Sequence, residues 1–459
     1  MNNNYEYSKL NPINPNLDKS KQYKRVLDFP DLFSAGYSFV IGAGIFILLP
    51  IIIKFGGGIS WISFIIGCLI CLFTGLSYSK LNMIFPTNDA EYAWILNVLN
   101  FDKARDPKKI NMIVKSLANL VIWIIFFIGV FTSATVLVCQ SNFIKEYINL
   151  DKTLIISLLS IFPVIVNIFG SKTATHFNKA VILIISTLFG VVLKYAISDG
   201  KYFNELIPNE KPSMNMMKSI FNSSFVTLFL YNGFQSLVQL SEEAKHHEDI
   251  PKSLISSLLF SAILYSIFTI SVIALLGAKA SSKSKMTLVD ALKVVLSNKN
   301  VNIINIIVII ILTNTVIIIS LSRSRLLQKM SVRGIAPSIF KSLGNENNVN
   351  NVNKETNPVN AIIGVGIITF LSTFIKEGAV ESLASLTNIF ILISFFMVNA
   401  LMIVFHYKTK TVEELEKQKI SDAKIPQLKG LPWYSIIGVI MSLAYLLKYP
   451  KLGIGKKSI

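Results

Sequence analysis

The chain has 459 residues, 52% of them hydrophobic and 15% charged, and a formal net charge of +18. An ordinary soluble domain carries about 25% charged residues, so the composition excludes a typical soluble protein. The apolar share, roughly 239 residues, is enough for about eleven or twelve membrane-spanning helices of about 20 residues each.

Long intervals between charged residues mark the elements, because an ionised side chain is costly inside a bilayer. The first thirty residues are polar and Asn-rich, unlike the short apolar run of a signal peptide. Asp28, Pro30 and Asp31 then predict a helix start, by an acidic N-cap and a proline in the first turn. Eleven charge-free intervals follow: Leu32 to Ile53, Phe55 to Ser79, Ser116 to Ile144, Thr153 to Ser171, Ala180 to Leu193, Ser219 to Ser241, Ser253 to Ala278, Asn300 to Ser322, Thr356 to Ile375, Ser382 to Tyr407 and Gly430 to Leu447. The fifth is short but extends back through Thr173, Ala174 and Thr175. Polar segments separate them at Lys80 to Lys115 and Arg323 to Glu355, the latter with an Asn-rich tract, and Met286 to Leu296 has the spacing of a short amphipathic helix.

The 44 Lys and Arg lie in loops between these intervals rather than on one basic face, so no nucleic-acid partner is expected. Their excess falls on the side of the N-terminus, which the positive-inside rule places in the cytoplasm. Cys68, Cys71 and Cys139 all fall inside intervals and read as small packing residues. His246, His247, Glu248 and Asp249 read as a solvated loop, because adjacent helical positions diverge by about 100° and do not converge on one metal. No metal or cofactor is expected. The sequence holds no nucleophile with a base, no phosphate loop and no HExxH, so no enzyme is expected either.

Two intervals are interrupted by glycine, the first at Gly42, Ala43 and Gly44 and the sixth at Asn232 and Gly233. Their separation by five intervals fits the discontinuous helices of an inverted-repeat transporter. It also fits glycines that merely let helices pack closely.

Four blocks in order resemble the amino acid-polyamine-organocation superfamily, and more narrowly its amino acid permeases. They are IGAGIF at Ile41 to Phe46, YSKLNMIFPTNDAEYAWI at Tyr78 to Ile95, FLYNGFQSLVQLSEEAKHHEDIPKSL at Phe229 to Leu254, and SRLLQKMSVRGIAPSIF at Ser324 to Phe340 followed by Asn357 and Pro358. The resemblance implies an all-α polytopic membrane protein of about eleven transmembrane helices, a LeuT-like core of two inverted five-helix repeats with helices one and six broken. The divisions expected are a cytoplasmic tail at 1–30, repeats at 31–198 and 199–407, a cytoplasmic loop at 408–429, and a peripheral eleventh helix with its tail at 430–459. The chain departs from the family at His246 and His247, at Gln235 in place of an acidic residue, and at Ile185 where some proton-coupled relatives carry a lysine.

The function so implied is secondary active transport of an amino acid by alternating access. A zwitterion needs partners for both charges in a low-dielectric site. Amides of Gly42, Ala43 and Gly44 are expected to take its carboxylate, and carbonyls at Val40, Ile41, Phe229 and Asn232 its ammonium. Ile45, Phe229, Tyr231, Asn232 and Gln235 then line the side-chain pocket, with Gly233 at the second break. With no Asp or Glu in either break, a neutral amino acid is favoured over a cationic one. Glu242 and Glu243 are either a solvated helix end or an inner gate closing on Lys24, Arg25 or Arg323. A transceptor or non-transporting membrane subunit, and a polyamine transporter, are the alternatives. The partners expected are the substrate and the lipid bilayer, the plasma membrane by default; the coupling ion, H+ or Na+, is left open.

Overall fold

The computed structural model describes residues 23–42, 44–99, 111–145, 148–207, 213–284, 290, 291, 293, 298–343, 357–374, 379–409 and 432–448. Ala43, the Asn-rich tract, most of the proposed amphipathic segment, the 410–431 loop and both tails lie outside them.

The described chain is built of helices. The first is α1 (Phe29–Val40), started by the expected signal: the Asp28 side chain accepts from the Asp31 amide and the Asp31 side chain accepts from the Asp28 amide, both at 3.2 Å. This reciprocal cap satisfies two otherwise orphaned N–H groups. Asp28→Ala is expected to lower the stability of the detergent-solubilised protein by about 1 kcal/mol, read from its thermal unfolding midpoint; an unchanged midpoint would show the cap to be idle.

After a non-helical step at Ile41 and Gly42 comes α2 (Gly44–Gly56), continued through a 3-10 turn at Gly57–Ile59 into α3 (Ser60–Ile84). The first two charge-free intervals therefore run together beyond the break, and Lys54, which separates them in sequence, sits exposed on a helical segment. The helices α4 (Ala90–Leu99), α5 (Met112–Lys145), α6 (Lys152–Ile168), α7 (Ser171–Asp199) and α8 (Met214–Tyr231) follow. A 3-10 segment, Phe234–Leu240, continues α8, and then come α9 (Asp249–Leu276), α10 (Asn298–Val332), α11 (Val359–Ser372), α12 (Ala379–Thr409) and α13 (Trp433–Lys448).

Six stretches among the described residues are long and apolar enough to cross a membrane: Leu48–Ile84, Met112–Lys145, Ser171–Asp199, Asp249–Leu276, Ile303–Val332 and Thr387–Lys408. Shorter apolar helices lie at Lys152–Ile168, Val359–Ser372 and Trp433–Leu447. Their outward faces are apolar: Leu120 is 60% exposed, Leu183 70% and Ile306 58%. This is the surface a bilayer solvates and water does not. The chain is a multi-pass integral membrane protein.

Where lipid is as apolar as leucine, helices associate through close packing and hydrogen bonds rather than by burying hydrocarbon. Small and polar residues accordingly sit at the crossings. Asn399 of α12 donates to Thr74 of α3 at 2.9 Å and accepts from Ser77 at 2.7 Å, and Thr227 of α8 donates to the Ser63 carbonyl at 3.0 Å. Asn314 of α10 donates to Asn178 of α7 at 2.7 Å. Aromatic pairs fill the remaining space, among them Phe189 stacked on Phe268 with centroids 4.4 Å apart. The helix α9 packs against α1, α3 and α7, while α10 packs against α5, α6, α7 and α11. The two broken elements are held between these groups.

Candidate functional site: a cavity between two broken helices

The sequence stops α1 and α8 by different local means. At the end of α1 the Ile41 amide still donates to Tyr37 at 2.6 Å, but the Gly42 amide folds back onto the Val40 carbonyl at 3.0 Å. The freed end of α1 is fixed by Tyr265, whose hydroxyl donates to the Val40 carbonyl at 2.7 Å. Gly42 is required by close approach: a β-carbon there would stand 2.9 Å from the Thr315 side chain of α10.

At the second break Asn232 adopts an extended backbone, and Gly233 has φ +123°, a conformation that L side chains rarely adopt. The Asn232 amide still donates to the Leu228 and Phe229 carbonyls, at 3.1 and 3.2 Å. Gln235 holds the interruption together: its Oε1 accepts from the Gly233 amide at 3.0 Å and its Nε2 donates to Asn232 Oδ1 at 2.7 Å. The breaks touch each other. A β-carbon on Gly233 would fall inside van der Waals distance of the Phe39 carbonyl oxygen, and one on Gly44 would meet the Leu230 side chain at 3.4 Å.

A cavity of about 180 Å³ opens beside this contact. Of the residues expected there, Val40, Gly42, Gly44, Phe229, Asn232, Gly233 and Gln235 line it. Ile41 and Ile45 are buried in the apolar core instead, and Tyr231 points the other way, donating to the Phe64 carbonyl at 2.9 Å and packing on Tyr265 with centroids 5.6 Å apart. These three are corrections of helix rotation: neighbours in a helix differ by about 100° in direction, so a stretch of six cannot all face one space. Ala43 lies outside the described residues.

The far wall escaped sequence reasoning. Gly129, Thr132, Val136 and Cys139 of α5 line the cavity together with Thr315 and Arg323 of α10. The spacing of the α5 set, three, four and three residues, is one helical face, and a small and polar stripe in an otherwise apolar helix was the available signal. The Thr132 and Thr135 hydroxyls donate within their own helix, to Ile128 at 2.7 Å and Phe131 at 2.8 Å, and keep lone pairs for a ligand. Among the described lining residues Arg323 carries the one full charge and none is Asp or Glu.

Arg323 is not the partner of the glutamate pair. Its guanidinium donates to Gln239 at 2.6 Å and Ser236 at 2.9 Å, and lies against Gly129. Glu243 pairs with Arg325, Nε to Oε1 at 2.7 Å, with both side chains buried, and also accepts from Ser171. Glu242 pairs with Lys329 at 2.6 Å and accepts from Thr87 at 3.0 Å. Asp89 meets Arg333 at 2.7 Å. Burial raises the Asp89 carboxyl, but the Arg333 guanidinium beside it, with Lys329, holds it below the usual carboxylate range. The chain before α1 is stitched to the same region, Val26 and Leu27 both donating to the Glu243 carbonyl at 3.0 Å. Glu242 and Glu243 thus belong to a buried ionic layer at one end of the bundle rather than to a solvated helix end.

His247 stands nearby, where burial, then the charges of Arg25 and His246, push its imidazole down to about 4. Among the described residues no group of three His, Cys, Asp or Glu could hold a metal ion.

A family model described as "Amino acid permease" matches residues 27–448. A methylthioribose transporter of Bacillus subtilis (strain 168) is 25% identical over 349 residues, 70% of each chain. The branched-chain amino acid permease BcaP of the same organism is 25% identical over 269 residues, covering 53% of this chain and 54% of that one.

Proposed function

Because the chain belongs to the amino acid permease family, we propose that it is a secondary transporter carrying an amino acid across a membrane by alternating access. The observation that carries this reading is the meeting of two helix breaks, five helical segments apart in sequence, at one cavity. On this reading α1 with α2, α3, α5, α6 and α7 form the first repeat (31–198), and α8 with its 3-10 continuation, α9, α10, α11 and α12 the second (199–407). The segment α13 is the eleventh crossing.

The substrate carboxylate sits at the first turn of α2, where unsatisfied amides and the helix dipole favour an anion. The ammonium faces the Phe229 carbonyl, which accepts from the Asn232 amide and keeps a second lone pair, whereas both lone pairs of the Val40 carbonyl are taken by the Gly42 amide and the Tyr265 hydroxyl. Gln235 braces the second break, Phe229 and Asn232 bound the side chain, and Gly42 and Gly233 keep the breaks open to it. With the N-terminus in the cytoplasm of a plasma-membrane protein, the ionic layer of Glu242 and Glu243 is the inner gate, closed by Lys329 and Arg325.

The test is uptake into proteoliposomes of a radiolabelled panel of the twenty amino acids, spermidine and methylthioribose. At least one amino acid is expected to accumulate or exchange, and Gly42→Leu, which drives a side chain into Thr315, is expected to reduce that flux to background. Binding of an amino acid without flux would turn the reading toward a receptor. Neither binding nor flux of any panel member would remove it.

A further inference from the structure

The ionic layer accounts for Glu242, Glu243 and Asp89, but not for Glu91. This residue is the second of α4, lies in its first turn, is 0% exposed, and has one carboxyl oxygen, Oε2, without a hydrogen-bond partner. Its Oε1 accepts from the Tyr78 hydroxyl at 3.2 Å. A buried carboxylate with an empty lone-pair site is expensive when ionised; a proton on that oxygen makes it a neutral group.

The surroundings link Glu91 to the cavity. Arg323 acts on it electrostatically from α10, and Arg323 is the cation that lines the cavity, itself with an unpartnered Nε. Tyr78 of α3 packs edge-on against Phe234, the residue directly after the Gly233 break, with centroids 6.0 Å apart. The remaining charged and polar neighbours are accounted for: Asp89 precedes α4 and is met by Arg333, α12 supplies Ser394 to Tyr78 at 3.1 Å, and Lys408 caps the far end of α4 on the Val98 and Leu99 carbonyls at 3.2 Å. The helix α5, also packed on α4, brings Gly129 to Arg323.

We propose that Glu91 is the proton-binding site of a proton-coupled transport cycle, with Arg323 relaying its charge state to the substrate cavity. The proposal rests on the transport reading above. Ionised Glu91 neutralises part of the field of Arg323. When a proton from water forms the O–H bond at Oε2, that field is released into the cavity, where a substrate carboxylate answers it. By linkage the substrate then tightens proton binding by the same factor, so the two bind and leave together. Burial pushes the Glu91 carboxyl up to about 7, against its own backbone N–H, Arg323 and the Tyr78 hydroxyl, which all pull it down. The site therefore fills and empties across the physiological range.

The experiment uses the full chain in proteoliposomes with leucine, isoleucine, valine and methylthioribose as probes, and reads both counterflow at equal pH and accumulation driven by an inward proton gradient. Wild-type uptake is expected to fall about tenfold from about pH 6 to about pH 8, the ratio of protonated fractions for a group titrating near 7. In Glu91→Gln counterflow is expected to lose its pH dependence and gradient-driven accumulation to disappear. Tyr78→Phe removes a bond that favours the ionised form, so its half-maximal pH is expected to move upward, a shift that a merely structural loss would not produce. Gradient-driven accumulation that survives Glu91→Gln would overturn the proposal, as would a Tyr78→Phe profile that stays in place. Counterflow without any response to the gradient in wild type would remove proton coupling and leave the transport reading standing. No counterflow of these probes or of any amino acid would remove both.

Discussion

Glu243→Leu is expected to destabilise the protein by about 3–5 kcal/mol, the loss that follows when one partner of a buried ion pair is removed. The reason lies in what stays behind. Arg325 is 0% exposed, and besides Glu243 its guanidinium meets neutral groups, the oxygens of Ser324 at 3.0 Å, Ser171 at 3.1 Å and Asn357 at 3.3 Å and the Tyr23 ring at 6.0 Å. Without Glu243 a full positive charge is left in a site closed to water. Arg325→Lys is expected to recover little, because a single ammonium cannot reproduce a fork that spans Glu243, Ser171 and Asn357.

The double substitution Glu243→Leu with Arg325→Leu separates stability from gating. It removes both charges, and much of the lost stability is expected to return, since a buried pair is often no better than apolar residues of similar volume. On the gate reading proposed above, closure depends on breaking and remaking that pair as the bundle moves, so gating is not expected to return with it. The measurements are thermal unfolding in detergent and leak of a preloaded amino acid from proteoliposomes. A double variant that is as unstable as Glu243→Leu would refute the desolvation argument. One that is stable and transports like wild type would refute the gate.

The positions of these elements were legible in sequence wherever the determinant is local. The start of α1 could be read from Asp28, Pro30 and Asp31 because a cap acts within one turn. A helical segment runs through each charge-free interval because exclusion of charge from lipid acts residue by residue, although α5, α7 and α10 continue past their intervals and α4 lies outside all of them. The breaks at Gly42 and at Gly233 could be read from composition, since a helix interior disfavours glycine. What could not be read is rotation. Arg323 and Arg325 are two residues apart and so project about 200° apart on a helix, one to the cavity and one to Glu243. Nothing in the sequence around them says which faces which; that is set by how α10 packs on α5 and α7. The same rotation moved Ile45 and Tyr231 out of the cavity and brought Gly129 and Thr132 into it. Glu91 was visible inside a matching block but without a role, because its burial and its bare oxygen exist only once α3, α10 and α12 close around it.

Gly233→Ala is expected to cut uptake by roughly tenfold or more, because a methyl group there disturbs the second break itself. Two terms act together. At φ +123° a β-carbon strains the backbone whatever the available space, and here it also collides with the Phe39 carbonyl oxygen. Relief requires either that α8 retreat from α1, which widens the contact between the breaks, or that Asn232 and Gly233 turn toward helical geometry. The second route takes the Gly233 amide away from Gln235 and straightens the segment that the substrate is proposed to occupy. Either way the damage is to the cavity more than to the bundle, so the variant is expected to remain folded and monodisperse while losing flux. Gly190→Ala in α7 is the control: nothing stands within 4 Å of a β-carbon there, and alanine is the better helix former by about 1 kcal/mol, so transport is expected to be unaffected. If Gly233→Ala carries the same flux as Gly190→Ala, the second break is a packing glycine and the cavity between the breaks is not where the substrate binds.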